Sequence, residues 1–398
     1  MKHNVLQLID SFNQGGTERQ VVQLTRLLAQ SGRYHVHLAC LSGKGPLRAE
    51  VERLGFREIP EFPLNSFYDR NTFIQLRRLV HLMREREIDI VHAHDFYTNI
   101  FGMAAAALAR VPARIASRRE TDGIRSRAQR IVERRAFNLA HAIVANAEAV
   151  RQQVIREGVR PGKIITIYNG LDLERLAVRP DFRRSDALAS FGLPRDDERQ
   201  FVTIVANMRH AMKDQATFLR AARLVRAEVP GATFVLAGEG EQQKPLRQFA
   251  AELGLERDAF FIGRCARVPE LLAVSDVCVL SSKGVEGFSN SIIEYMAAAR
   301  PAVVTDVGGA REAVVEGETG YIVKPEDHET MAARIISLLQ DPAQARAMGE
   351  RGRRIVEQKF SLAAQLEKTE RLYERLLAKT ASRRLLTADS KRAVDGNQ

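Results

Sequence analysis

The chain has 398 residues, 45% of them apolar and 27% charged, with a formal net charge of +11. That length exceeds what one core usually serves and leads us to expect two domains, and no apolar run is long enough to span a bilayer. Residues 1–180 hold 28 Lys and Arg against 18 Asp and Glu, so ten of the eleven net charges fall in the first half, a balance that points to nucleic acid, a membrane surface or an anionic substrate.

Short apolar runs alternate with amphipathic stretches from the first residues onward. Residues 1–9 read as a strand rather than a leader, since they lack a long apolar core and a cleavage site. Strands are expected at Val5–Ile9, Val36–Leu41, Ile88–Ala93, Ala113–Ser117, Ala142–Ala145 and Ile164–Tyr168, with helices such as Thr17–Gln30 and Asn71–Glu87 between them. Near residue 180 the texture becomes polar and aperiodic. The alternation then restarts with strands at Phe201–Ala206, Thr233–Ala237, Ala259–Ile262, Val277–Leu280, Ala302–Thr305 and Gly320–Val323. A helix is expected over Leu362–Ala378. Strand–helix alternation implies parallel sheets covered on both faces, with ligands at the C-terminal ends of the strands. Cys40, Cys265 and Cys278 all lie in apolar surroundings. They read as free, buried thiols of a reducing compartment, which makes the cytoplasm the expected location.

The run from Ser282 to Glu294 carries most of the chemistry. It follows an apolar strand, and it sets Glu286 and Glu294 on either side of a Gly287-Phe288-Ser289-Asn290 turn suited to starting a helix. Backbone N–H groups at such a helix start point toward an anion. By the helical repeat, Glu286 belongs to the loop and Glu294 to about the second turn. Two glutamates can also simply flank a surface helix, but here the neighbours of Glu294 are mostly apolar, and a carboxylate there needs a partner.

The pattern with Glu286, Phe288 and Glu294 in place resembles the nucleotide-sugar site of retaining glycosyltransferases of family 4, also called glycosyl transferases group 1. The resemblance runs through most of the chain in order. It takes in Gly15-Gly16-Thr17-Glu18, the segment from Asp89 through His92 and His94 to Asp95, Tyr168-Asn169-Gly170, Arg209 with Lys213-Asp214, and Gly238-Glu239-Gly240. Phe261-Ile262-Gly263, Val268-Pro269-Glu270, Gly308-Gly309 and Gly317 with Gly320 complete it. It implies an α/β GT-B fold, two doubly wound Rossmann-like domains facing a cleft, with the C-terminal helix crossing back to the first. The domains would be an acceptor-side domain at 1–180, a linker at 181–200, a nucleotide-sugar domain at 201–360, a terminal helix at 361–379 and a flexible tail at 380–398. It further implies transfer of a sugar from a nucleotide diphosphate sugar, UDP favoured, to a hydroxyl of a saccharide or lipid-linked acceptor. No cofactor and no metal are implied. Arg209 and Lys213 match the cations that grip the donor diphosphate, where they neutralise charge on the leaving group. Glu286 matches the carboxylate near the donor sugar, and Glu294 the one that binds the ribose. Gly15 and Gly16, Arg264 and Val268, and the backbone of Gly287, Phe288, Ser289 and Asn290 complete the expected donor contacts.

One departure stands out. Many relatives carry a His in the loop that here reads Ser117-Arg118-Arg119-Glu120-Thr121-Asp122-Gly123. Arg119 and Glu120 fall near its place, and His94 is either a cleft residue or a buried structural group. A sugar-nucleotide 2-epimerase of similar fold is an alternative, as is a metal hydrolase built on His92 and His94, although no second His cluster with ligand spacing follows. A nucleic-acid binder is disfavoured, because the basic half lacks interleaved aromatics and the chain has no Trp. The densest basic stretch, from Arg118 and Arg119 through Arg125, Arg127 and Arg130 to Arg134 and Arg135, suits an anionic membrane surface, or else is a solvated helix face. Peripheral attachment at the inner face of the membrane is the corresponding expectation.

Overall fold

The computed structural model describes residues 2–67, 69–121, 125–284 and 286–395, with side chains through Ser382. Three expectations therefore fall partly outside the described residues: Val285 within the glutamate run, Asp122–Ile124 after the Arg119 loop, and residues 396–398 of the tail. The chain divides into two compact units, residues 1–169 with 362–398, and residues 170–361.

The first unit is built on β1 (His3–Ile9), β2 (Tyr34–Cys40), β3 (Ile90–Ala93), β4 (Ala113–Arg118), β5 (Ala142–Ala145) and β6 (Ile164–Thr166). They form one parallel sheet in the order β2-β1-β3-β4-β5-β6. The second unit carries β7 (Gln200–Val205), β8 (Ala232–Ala237), β9 (Ala259–Gly263), β10 (Val277–Leu280), β11 (Ala302–Thr305) and β12 (Gly320–Val323). Its parallel sheet runs β12-β11-β10-β7-β8-β9. Every expected strand is present. Their legibility has a simple cause: strands covered by helices on both faces are almost wholly apolar, as in β8 and β10, where every residue is buried.

Strand order fixes where a ligand binds. In the first sheet the chain reverses direction between β1 and β3, and in the second between β7 and β10. At such switch points the loops leaving the two strands diverge and open a crevice at their C-terminal ends. The loops there are 10–16 and 94–95 in the first unit, and 206–213 and 281–289 in the second.

Two expectations about chain organisation are corrected. The 181–200 segment is no bare linker. Arg184–Ser190 is helical, and Ala187, Leu188 and Leu193 pack into the second unit's core with Phe201, Val235 and Leu271. Three small or apolar side chains inside a strongly charged stretch suffice to anchor it, and the polar texture hides them. The terminal helix runs from Leu362 to Asp395, past Ala378 and through most of the expected tail. Residues 380–395 contain no Gly or Pro to stop it. Its Leu372, Tyr373 and Leu376 belong to the first unit's core, beside Val5, Ile90 and Ile115. All three cysteines are free, with Cys40 and Cys278 buried and Cys265 half-buried rather than fully enclosed.

Candidate active site

The second unit's switch point is assembled from three segments that are far apart in sequence. The helix Asn290–Ala297 is fastened to both switch strands by one side chain. Tyr295, fully buried, accepts from the Val205 N–H through its hydroxyl (2.7 Å) and donates to the Val279 carbonyl (3.2 Å). Burial pushes its hydroxyl well above the usual phenol range, so it stays neutral and keeps both bonds. Ser291 adds a bond from its hydroxyl to the Val205 carbonyl (2.8 Å). The start of the helix is thereby held over the ends of β7 and β10, with Ser289 extended at the N-cap position and Glu294, half-buried, in the second turn.

The loop before this helix is held from below. Gly309 N–H donates to the Gly287 carbonyl (2.7 Å), and the Thr305 hydroxyl donates to the Ser282 carbonyl (2.6 Å). Gly308 has φ +53°, and a Cβ there would sit 2.4 Å from the Gly287 carbonyl oxygen, so only glycine fits. Gly240, at φ +149°, does the same for the loop after β7, where a Cβ would lie 2.3 Å from the Met208 carbonyl carbon.

These constraints bring Lys213 and Glu286 together. Lys213 ends the short 3-10 turn Ala211–Lys213, and its ammonium pairs with Glu286 Oε1, with side-chain exposures of 25% and 13%. Ser282 donates to the same oxygen (2.8 Å), and Ser281 donates to the Lys213 carbonyl (2.9 Å). Arg209 stands exposed on the same loop as Lys213. Phe288 is 5% exposed and packs on Phe360 at 4.8 Å between ring centroids. It works as an anchor for the turn while its neighbours Gly287, Ser289 and Asn290 carry the backbone past the site. Arg264 is exposed just after β9, and Val268 opens the helix Val268–Val274. Ser282 and Tyr295 belong to or adjoin the run singled out in the sequence, but the sequence assigns neither of them a role. The signal for Tyr295 was a polar atom in an otherwise apolar helix face.

The first unit's edge has a different character. The helix Gly16–Gln30 begins directly after Gly15, which has an ordinary φ of −90°. Asp95 caps the helix Phe96–Ala109, accepting from Thr98 N–H (2.9 Å), and its other oxygen accepts from Asp10 N–H (3.1 Å). Burial, reinforced by Asp10 and Glu18, pushes Asp95 up to about 7. Arg119 donates to Asn169 Oδ1 (3.0 Å) and to His94 Nδ1 (3.4 Å). Burial lowers its guanidinium to about 10, against the opposing pull of Glu120, Asp95 and Glu18. His94 is fully buried.

Glu120 turns the other way. It pairs with Arg125 (2.6 Å), beside a buried cluster in which Arg118 meets Glu133 and Glu157. This corrects the basic patch: Arg118 and Arg125 are enclosed, with side chains 1% and 8% exposed. The charges left at the surface are Arg127, Arg134 and Arg135, on the helix Arg127–Leu139 with Ile131, 56% exposed.

Comparison with known proteins agrees with this architecture. The family model "Glycosyl transferases group 1" matches residues 187–355, and "Glycosyltransferase Family 4" matches residues 14–175. The fold and these two matches, which together span most of the chain, make this protein a glycosyltransferase with the GT-B fold, its two halves similar to the group 1 and family 4 models. The chain is 32% identical over 218 residues to the putative glycosyltransferase EpsD of Bacillus subtilis (strain 168), a match over 55% of each chain; it thus spans little more than half the length of that relative. It is 25% identical, over 90% of its length and 93% of the relative's, to the UDP-Gal:alpha-D-GlcNAc-diphosphoundecaprenol alpha-1,3-galactosyltransferase of Escherichia coli. Among solved structures, Anabaena HepE in complex with UDP superposes with a TM-score of 0.82 at 22% identity, over 94% of this chain and 100% of that one.

Proposed function

We propose that the protein is a retaining glycosyltransferase that moves a hexose-like unit from a UDP-sugar to a hydroxyl of a saccharide or lipid-linked acceptor in bacterial glycan synthesis. The observation that carries this reading is the Lys213–Glu286 pair beneath the start of the helix Asn290–Ala297, at the β7/β10 switch point. A nucleoside diphosphate with its phosphates at that helix start meets the N–H groups of the first turn, the Lys213 ammonium and the Arg209 guanidinium. Negative charge building on the leaving diphosphate is then met by fixed cations, which lowers the barrier most where water is scarce. Glu286, turned inward by Ser282 and Lys213, faces the transferred sugar. Glu294, about two turns along, takes the ribose hydroxyls. In this reading the leaving phosphate takes the proton of the acceptor hydroxyl as it attacks from the same face, so no protein nucleophile and no metal is needed.

The UDP preference is supported by relatives whose names or bound ligands are uridine compounds. In the first unit, Arg119 and Asp95 form the acceptor side, and the Gly15-Gly16 turn keeps the donor contact that the resemblance implies. A membrane-bound acceptor is supported by Arg127, Arg134 and Arg135 beside Ile131, a face that anionic headgroups attract. No helix among the described residues is long and apolar enough to cross a membrane. The metal-hydrolase alternative loses its ligands, since the ring nitrogens of His92 and His94 are engaged by Ser117, Tyr373, Gln7 and Arg119. A panel of nucleotide sugars incubated with the chain in EDTA, with and without saccharide acceptors, tests the reading. Release of one nucleoside diphosphate, accelerated by an acceptor, is expected. Conversion of the donor into an isomeric nucleotide sugar without release would indicate the epimerase instead.

A further inference from the structure

We propose that Tyr373, on the terminal helix, is a positioning residue. It orients Arg119 at the end of β4 through a one-way chain of hydrogen bonds running Arg119–His94–Gln7–Tyr373–His92–Ser117. The inference rests on the reading of Arg119 as an acceptor-side residue and extends it to side chains that nothing else assigns.

The direction of the chain follows from its one end that cannot reverse. A guanidinium only donates. Arg119 Nη2 faces His94 Nδ1 (3.4 Å), so that nitrogen is bare, and a neutral His94 carries its proton on Nε2. His94 Nε2 lies 2.6 Å from the Gln7 side chain, which must therefore present its oxygen. The Gln7 amide nitrogen is left to donate to the Tyr373 hydroxyl (3.0 Å). Having accepted that bond, the hydroxyl donates its own proton to His92 Nδ1 (2.9 Å), which puts the His92 proton on Nε2, facing Ser117 Oγ (2.9 Å). Turning the Gln7 amide over would require His94 to aim an N–H at Arg119. Orientation along the whole chain is thus set by Arg119, and orientation of Arg119 is set by the chain. All six side chains lie in one unit, and five of them are 2% exposed or less: Gln7, His92, His94, Tyr373 and Ser117. Burial holds both imidazoles neutral, His92 down at about 3 and His94 well below its usual range.

Charges facing the chain from each packed element fit this arrangement. Arg119 and Glu120 come from the loop after β4, Asp95 from just past β3, Glu18 from the helix after β1, and Asp10 from just past β1. The carboxylates lie on the Arg119 side, and beyond His94 the chain is uncharged. A protonated His94 would set an N–H against the guanidinium and push it off Asn169.

Two measurements test the proposal in the full-length protein. Imidazole 15N spectra, assigned by comparison with His92→Gln and His94→Gln variants, should show both histidines neutral with the proton on Nε2 down to pH 5. A His94 proton on Nδ1 overturns the chain whether or not the enzyme transfers sugar. The second is the pH profile of Gln7→Glu. A carboxylate accepting from His94 Nε2 stabilises the imidazolium and raises its pKa, so the variant should gain an acid limb, with turnover falling roughly tenfold or more as pH drops, which the parent lacks. Affinity for the nucleoside diphosphate should stay at the parental value. A variant with the parental pH profile would overturn the role of the chain, and a parent without transferase activity but with the expected spectra would overturn only the reading of the site.

Discussion

The two units share one topology class and differ in what their switch points hold. In the second, the loops after β7 and β10 are shaped by glycines that no other residue can replace, and they present a mostly buried ion pair, Lys213–Glu286. In the first, the corresponding edge is closed over by side chains. His94 is buried, Asp95 is pushed up to about 7, and Arg119 is held from two sides by Asn169 and His94. One edge offers charge and backbone N–H groups, which suit a diphosphate of fixed shape. The other offers a hydrogen-bonded scaffold with few free charges, which suits an uncharged hydroxyl acceptor whose identity changes between enzymes. The donor edge is therefore expected to fail by loss of charge, and the acceptor edge by loss of orientation.

The largest expected effect follows from removing the charge. Lys213→Ala should lower turnover by about 2–4 kcal/mol of transition-state stabilisation, roughly a hundredfold to a thousandfold. Steady-state kinetics on folded protein with near-parental turnover would break the contrast. Next comes the backbone beneath the donor loop. Gly308→Ala forces a Cβ against the Gly287 carbonyl and should cost about 1–3 kcal/mol of stability, together with weaker nucleotide binding. Thermal unfolding with and without nucleotide checks both.

The two glutamates separate within the donor edge. Glu294→Ala should weaken binding of the free nucleoside diphosphate, while Glu286→Ala should leave that binding nearly intact and slow transfer from the full donor. Calorimetry with the nucleotide alone reads the split, and the opposite pattern exchanges their roles.

On the acceptor edge, Asp95 supplies a signature in pH. Its folded pKa, about 7, lies above the ordinary 3.8. The folded state thus holds its proton longer than the unfolded one, and the stability this group contributes is full below pH 3.8 and is lost as pH rises toward 7. Asp95→Asn keeps a good helix cap and removes this dependence. Relative to the parent, the variant should gain on the order of 1–2 kcal/mol between pH 4 and pH 8, allowing for the partial exposure of the residue. A difference in unfolding free energy that does not change with pH would contradict the burial of Asp95. The smallest effect is expected at the surface. Arg127, Arg134 and Arg135 changed together to Glu should abolish salt-sensitive co-sedimentation with anionic vesicles and leave transfer to soluble acceptors near parental. Equal sedimentation with neutral vesicles would make this face an ordinary solvated one.

The contrast also explains what could be read from the sequence. Parallel strands buried on both faces appear as nearly continuous apolar runs, so β7, β8 and β10 are visible without tertiary information. Glu286 and Glu294 were visible because a strand, a turn and a helix carry them consecutively. Lys213 lies 73 residues from Glu286, and only the strand order brings the two together. The acceptor edge was far less legible. Tyr373 meets His92 across 281 residues and Gln7 across 366, and an amphipathic terminal helix gives no sign of which tyrosine will reach into the sheet. Arg118 and Arg125 read as surface charge because nothing in a basic run reveals that Glu133 and Glu157 lie beneath it.

The account stands or falls on the donor edge, and titration calorimetry of UDP, GDP and ADP in EDTA addresses it most directly. One nucleoside diphosphate, UDP in this account, should bind the parent without metal, and its affinity should drop at least tenfold in Lys213→Ala, a loss of about 1.4 kcal/mol. Failure of every diphosphate to bind, or binding that Lys213→Ala leaves unchanged, would contradict the assignment of the β7/β10 edge as the donor site.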